Sequence, residues 1–121
     1  MQSDALVDLA VGALDDLKAL DVRVLDVREL TDMTDYMVIA TGRSNRQVSA
    51  LAEHLTLTVK SQEMPPLGVE GMDDGQWVLV DLCDVVVHIM QPETREEYQL
   101  EKLWAPRVGS AFNEIDPAPA N

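Results

Sequence analysis

The chain has 121 residues, with 22 Asp or Glu against nine Lys or Arg, and its formal net charge is −13. A length between about 100 and 200 residues predicts one domain that buries its own apolar core. The single cysteine, Cys83, excludes an internal disulfide and a zinc site built on paired thiolates. No apolar run approaches about 18 residues and the N-terminus lacks the basic segment of a signal peptide, so we expect a cytoplasmic protein.

The sign of the charge bears on the partner. Proteins that hold a phosphate backbone collect Lys and Arg, so the excess of acids argues against nucleic acid as the ligand. Residues 1–42 carry nine acids and three bases, residues 43–66 two and three, and residues 67–121 eleven and three. The acidity of the two flanks either serves solubility alone or complements a basic protein partner.

The first predicted element is an amphipathic helix that Ser3 caps and that ends near Leu20. A β-branched stretch at 22–27 predicts a short strand. Residues 36–40 are apolar without alternation, as in a strand that is covered on both faces. That strand is therefore predicted to lie centrally in the sheet.

A strand, glycine turn and capped helix follow one another in the next stretch. Gly42 ends the strand, and Ser44 and Gln47 have the spacing of a capping box that opens a helix. A Pro-Pro pair ends the helical region, after which residues 67–70 predict a short strand and residues 73–75 a turn.

Two strands at 77–82 and 85–90 are separated by only two residues, which predicts a tight hairpin. The predicted register runs from Leu82 opposite Val85 to Trp77 opposite Met90. One face of the hairpin is wholly apolar and must be core. Its members are Val78, Val80, Leu82, Val85, Val87 and Ile89.

The opposite hairpin face mixes apolar and polar side chains. It carries Trp77, Leu79, Asp81, His88 and Met90. Such a face is either covered by the last helix or offered to a partner. Thr94 and Glu97 have the form of a second capping box, and the helix that they open runs through Trp104 to Pro106.

Catalytic and metal-binding patterns are weak in this sequence. Ser44, His88 and Asp84 are the residue types of a catalytic triad, but no Gly-x-Ser-x-Gly nucleophile elbow surrounds the serine. His54 and His88 lack the spacing of zinc ligands, so no metal site and no cofactor are predicted. A Gly-x-Ser turn is also found in nucleotidyltransferases, but Asp81 and Asp84 straddle a turn and do not form their metal-binding acid pair.

Several motifs, taken together, carry a family resemblance. In chain order they are Asp35-Tyr36, Val38-Ile39-Ala40, Gly42, Ser44-Asn45-Arg46-Gln47-Val48, Glu70-Gly71, Gly75, Trp77-Val78-Leu79-Val80-Asp81, Asp84-Val85-Val86-Val87-His88, Pro92-Glu93-Thr94-Arg95, Tyr98, Leu100-Glu101 and Leu103-Trp104. Over residues 4–104 the chain resembles the ribosomal silencing factor family, also called Iojap-like or RsfS. Cys83 departs from the pattern, since the family usually has Gly there, which raises the question of whether the hairpin turn needs a positive φ.

The resemblance implies an α/β fold in one domain, residues 1–105. Its mixed β-sheet has about five strands flanked by helices, in a nucleotidyltransferase-like fold without catalytic motifs or enzyme activity. Residues 106–121 are predicted to be a disordered Pro/Ala-rich tail.

The resemblance also implies a translational repressor. It would bind ribosomal protein L-fourteen on the large ribosomal subunit and sterically block the small subunit from joining, under nutrient limitation or in stationary phase. It would be a homodimer when free. Nucleotidyl transfer and a dimeric adaptor for another basic partner are the competing functions.

The residues predicted to bind the partner combine aromatic anchors with negative charge, as expected of a surface that faces a basic protein. They are Trp77, Asp81, Asp84, His88, Glu97, Tyr98 and Glu101. The alternative is that Tyr98 and Trp104 pack over Trp77 as a second core layer.

Overall fold

The structure of the protein, a computed structural model, describes residues 2–104, so the predicted tail at 106–121 lies outside the described residues. The elements in this part of the chain are α1 (Ser3–Asp16), β1 (Leu20–Asp26), β2 (Tyr36–Thr41), α2 (Asn45–Ser61), β3 (Gly68–Glu70), β4 (Trp77–Asp81), β5 (Val85–Met90), α3 (Pro92–Tyr98) and α4 (Leu100–Trp104). None of the helices within residues 2–104 is both long enough and apolar enough to cross a bilayer.

The five strands form one mixed sheet in the order β1-β2-β5-β4-β3. Strands β2 and β5 are parallel and the other pairs are antiparallel. The predicted mixed α/β sheet is thus confirmed, and β2 is an interior strand, although β5 takes the central position. The predicted hairpin register is also confirmed, from Trp77 opposite Met90 to Asp81 opposite Val86, with the Leu82 N–H donating to the Val85 carbonyl at 2.9 Å.

One face of the sheet, the helix-covered face, lies under α1 and α2. All six hairpin residues predicted to be core are buried there, together with apolar side chains of both helices such as Leu14 and Leu55. Burying an aliphatic side chain of this size contributes about 1.5 to 3 kcal/mol relative to leaving it exposed. This face therefore supplies most of the apolar stabilisation of the domain.

The other face, the half-covered face, packs against the C-terminal segment. A smaller cluster joins Val27, Met37, Ile39, Met90 and Leu100, with Leu25, Trp77 and Trp104 partly buried against it. Helix α4 has only five residues, and its Leu100 packs with Met37 and Ile39 of β2 and Met90 of β5. Leu79 and Asp81 are only half-buried.

The predicted bounds of α1 are wrong at both ends. Ser3 is the first helical residue rather than the cap, and the cap position, Gln2, makes no side-chain bond. The helix ends at Asp16 because Lys18 adopts a left-handed conformation with φ of 63°. The Lys18 and Ala19 amides then donate to carbonyls of the last turn, the pattern of a Schellman motif. Because a lysine occupies the position usually taken by glycine, the sequence did not indicate that the helix ends here.

The two predicted capping boxes have different outcomes. Ser44 caps α2 as predicted, since its Oγ accepts from the Gln47 N–H at 3.2 Å. The box at Thr94 is wrong, because α3 begins at Pro92, and the side chain of the cap residue, Gln91, makes no capping bond to the helix. Proline is favoured at the first helical position because it has no N–H to satisfy there.

Candidate partner-binding site

The main partly buried aromatic residue of β4 on the half-covered face is Trp77. Its indole Nε1–H donates to His88 Nδ1 at 3.0 Å, and its ring lies against Tyr98, with 4.8 Å between ring centroids and 50° between planes. Such a tilted arrangement is favourable for two aromatic rings. This aromatic pair, Trp77 and Tyr98, is partly open to solvent.

His88 lies beneath the aromatic pair. It is only 6% exposed, and burial lowers its pKa to about 4, so the ring is neutral near pH 7. Because Nδ1 accepts from Trp77, the remaining proton is on Nε2. The structure therefore gives His88, predicted as a contact residue, the role of orienting Trp77 from below.

Tyr98 is the last residue of α3 and is 50% exposed. The alternative of a second core layer is thus half right. Trp104 does pack into the smaller cluster, while Tyr98 covers Trp77 with one side of its ring and faces outward with the other. A side chain so placed can contact a partner without leaving its own packing.

Asp81 and Asp84 flank the hairpin turn. The Cys83 N–H donates to Asp81 Oδ1 at 2.9 Å, and Cys83 has a φ of 77°. The turn therefore does adopt the positive φ that the family's usual Gly would favour. Asp84 is exposed, and its carbonyl accepts from the amides of Asp35 and Tyr36. Asp81 is thus partly used by the turn, while the Asp84 carboxylate faces outward.

The two glutamates differ in the same way. Glu97 is exposed on α3. Glu101 Oε2 instead accepts from Arg95 Nη2 at 2.8 Å and Nε at 3.0 Å. Both donors share one oxygen of this half-buried carboxylate, so Glu101 is tied to Arg95 and supports the surface more than it extends from it.

Arg95 is the main residue that sequence reasoning missed. It is 8% exposed, and its Nη1 also donates to Thr41 Oγ1 at 2.8 Å and to the Asp21 carbonyl at 2.6 Å. A cavity of about 500 Å³ lies over it, lined in part by Asp21, Glu96 and Glu101. The sequence offered only its place in a family-like motif, since an arginine in a short helix usually faces solvent.

Gly71 was also assigned no role from the sequence. It has a φ of +94°, and a Cβ there would stand 2.1 Å from the Trp77 carbonyl oxygen. A shallow cavity of about 280 Å³ lies beside it, lined by Glu70, Gly71, Trp77 and Leu79. Only glycine lets the β3–β4 connection approach Trp77 this closely.

The residues of the possible catalytic triad do not come together in the structure. Ser44 follows the end of β2, while Asp84 precedes β5 at the opposite end of the same parallel pair. Six paired residues separate them, or roughly 20 Å at the usual strand rise. Among residues 2–104, no three His, Cys, Asp or Glu side chains converge on a metal site.

An open sheet face that carries an aromatic pair, with acidic residues on the same hairpin and on the adjoining helix, is typical of an α/β domain that binds a protein. Comparison with known proteins makes the class specific. The family model "Ribosomal silencing factor during starvation" matches residues 1–120. Ribosomal silencing factor RsfS of Haemophilus influenzae is 48% identical over 101 residues, which are 84% of this chain and 99% of that protein. The chain belongs to the ribosomal silencing factor family, whose members are non-enzymatic ribosome silencing factors.

The fold agrees with this assignment. A crystal structure of a Chromobacterium violaceum protein matches with a TM-score of 0.86 and 43% identity, over 91% of this chain and 92% of that one. The mouse protein "Mitochondrial assembly of ribosomal large subunit protein 1" is 38% identical over 104 residues, which are 84% of this chain and 46% of that protein.

Proposed function

We propose that the protein binds the large ribosomal subunit through ribosomal protein L-fourteen and so prevents the small subunit from joining. Membership of the silencing family supports the ribosome as the target. The name of the mouse relative supports the large subunit in particular. Translation would be lowered in the cytoplasm when nutrients are scarce.

The single observation that carries the proposed surface is the aromatic pair on the half-covered face. Before binding, Trp77 is restrained by its hydrogen bond to His88 and by its ring contact with Tyr98. Rigid aromatic side chains contribute strongly to interfaces because little conformational entropy is lost on contact. We place Trp77 and Tyr98 at the centre of the contact, with Glu97 next to Tyr98 in the chain and Asp81 and Asp84 at the turn end of the same hairpin.

The charge of this region fits a basic protein. Residues 73–101 include eight acids and one base, and that base, Arg95, is buried against Glu101. The exposed charge of the segment is therefore entirely negative. Such a surface attracts Lys and Arg of a ribosomal protein and is repelled by the phosphates of the surrounding RNA.

Silencing by occlusion requires only affinity and bulk at the subunit interface. No bond is made or broken, so the buried His88 and the structural Ser44 have no catalytic step to perform. This mechanism makes inhibition reversible and dependent on the concentration of the factor.

Cosedimentation tests the proposal directly. The purified protein should travel with isolated large subunits, stay off small subunits and off joined ribosomes, and dissociate as salt rises. Equal binding to both subunits, or none to the large one, would contradict it. Binding to another basic protein but not to the large subunit would favour a different adaptor function.

The proposal includes a homodimer for the free protein. Sedimentation velocity of the free protein should give twice the mass of one chain. In the ribosome-bound state, one chain should be present for each large ribosomal subunit. A monomer at all concentrations would remove this part of the proposal and leave the silencing function in place.

A further inference from the structure

The position of Tyr98 depends on a short and weak piece of chain. Helices α3 and α4 have seven and five residues, and helices of this length are not stable alone. Gln99, between them, has a φ of 49°, a left-handed conformation that is unfavourable for residues other than glycine. Contacts from elsewhere must therefore hold the α3–α4 turn, residues 98–100.

Arg95 bonds to both sides of this turn. Its carbonyl accepts from the Gln99 N–H at 3.0 Å, which closes α3. Its guanidinium donates twice to Glu101, which lies beyond the turn on α4. One residue therefore fixes the relative direction of the two helices.

The same guanidinium ties the turn to the sheet. Nη1 donates to Thr41 Oγ1 on β2 and to the Asp21 carbonyl on β1. The planar group presents its donors in a fixed fork, so satisfying these acceptors together sets its orientation. The turn, and Tyr98 within it, is thereby placed relative to Trp77.

We propose that Arg95 is a positioning residue for the partner-binding surface, which locks the α3–α4 turn on Thr41, Asp21 and Glu101 and so keeps Tyr98 against Trp77. Its effect on ribosome binding rests on the proposed function. A pair held in its binding geometry loses less freedom on association. Arg95 and Thr41 are both buried, so neither needs to contact the ribosome itself.

The test compares three variants of the full chain by NMR and by cosedimentation. Arg95→Lys keeps the charge but loses the fork, and Thr41→Val removes one buried acceptor with little change of shape. Glu96→Gln is the matched control, because Glu96 lines the same cavity and its side chain makes no hydrogen bond or ion pair within residues 2–104. The readout is the nuclear Overhauser effect between the Tyr98 ring and the Trp77 indole in the free protein.

We expect this effect to fall by at least half in Arg95→Lys, by less in Thr41→Val, and to stay unchanged in Glu96→Gln. Methyl resonances of Val80 and Val87 on the helix-covered face should keep their positions, which shows that the sheet is intact. Large-subunit binding by Arg95→Lys should weaken about tenfold, since fewer molecules hold the binding geometry.

The proposal would be overturned if Arg95→Lys and Thr41→Val both fold and both show the nuclear Overhauser effect between Tyr98 and Trp77 at the intensity of the parent. If Arg95→Lys does not fold, Thr41→Val alone is the test: a weaker nuclear Overhauser effect between Tyr98 and Trp77 supports the proposal, and an unchanged effect contradicts it. A lost Tyr98 contact with unchanged ribosome binding would uphold the positioning role. That same result would remove the aromatic pair from the proposed ribosome contact.

Discussion

The two faces of the sheet are built from alternate residues of the same strands, yet they differ in what covers them. On the helix-covered face, Val78, Val80 and Val87 are completely buried beneath two long helices. On the half-covered face, the covering helices are short, and Trp77 and Leu79 stay partly open. The first face uses its apolar surface to fold the domain. The second leaves part of its surface open, which we propose contacts the partner, and its polar groups are internally supported.

The largest expected effect is the loss of folding stability when a buried side chain of the helix-covered face is truncated. Leu55 is fully buried on α2, and Leu55→Ala should lower the free energy of unfolding by about 2 to 5 kcal/mol, because a cavity remains. Leu57→Ala is the matched control, since Leu57 is 61% exposed on the same helix. Urea unfolding measures both, and equal losses would show that the face is not the packed core described above.

The next effect is the pH dependence that His88 gives to the half-covered face. The unfolded chain binds a proton at this histidine below about pH 6.5, whereas the folded protein does so only near pH 4. Stability should therefore fall as pH drops from 6.5 to 4, by roughly 3 kcal/mol for a shift of this size. Urea titrations of the parent and of His88→Asn, which keeps an acceptor for Trp77, measure the difference.

Carboxylates contribute to the same acid range in both proteins, so the comparison cancels most of their effect. The Asp26 carboxylate, whose pKa is lowered by a hydrogen bond from Arg28, is present in each. A His88→Asn variant that loses stability over this range as steeply as the parent would show that His88 does not control it.

A smaller effect concerns the outward half of the aromatic pair. Tyr98→Ala should weaken binding to large subunits about tenfold, or about 1.4 kcal/mol, because a half-exposed aromatic contact is lost. Leu103→Ala removes an exposed apolar side chain from the neighbouring α4 and serves as control. Equal losses in the two variants would mean that exposed apolar area in general, not the aromatic pair, determines affinity.

The smallest effect compares charges on the two sides of the sheet. Glu97→Gln should weaken large-subunit binding about two- to threefold at low salt, and the difference should vanish at high salt, because a rim charge is screened. Glu53→Gln, on α2 over the helix-covered face, should change nothing. A salt-independent loss in Glu97→Gln, or an equal loss in Glu53→Gln, would place the acidic contact elsewhere.

The sequence predicts the helix-covered face well because that face depends on periodicity alone. Every second residue of the two strands is apolar, which assigns the inward residues, and the two-residue connection sets the register, which the structure confirms. The Ser44 cap is equally local, since its bond spans three residues. Local signals of this kind require no knowledge of distant contacts.

The supports of the half-covered face could not be predicted in the same way. Arg95 bonds residues 54 and 74 positions away, and no local pattern records such contacts. Lys18 and Gln99 take left-handed conformations without the glycine that usually signals them. His88 is a polar residue within an apolar strand, and the sequence does not say what it contacts. Only the structure shows that it is a buried acceptor for the Trp77 indole.

The most direct test of the central claim is the affinity of Trp77→Ala for isolated large subunits, compared with the parent protein under the same salt conditions. The parent should bind, and a Trp77→Ala variant that remains folded by circular dichroism should bind at least about 30-fold more weakly, as for a central aromatic anchor. A folded variant that binds large subunits as tightly as the parent would contradict the assignment of the half-covered face to the ribosome.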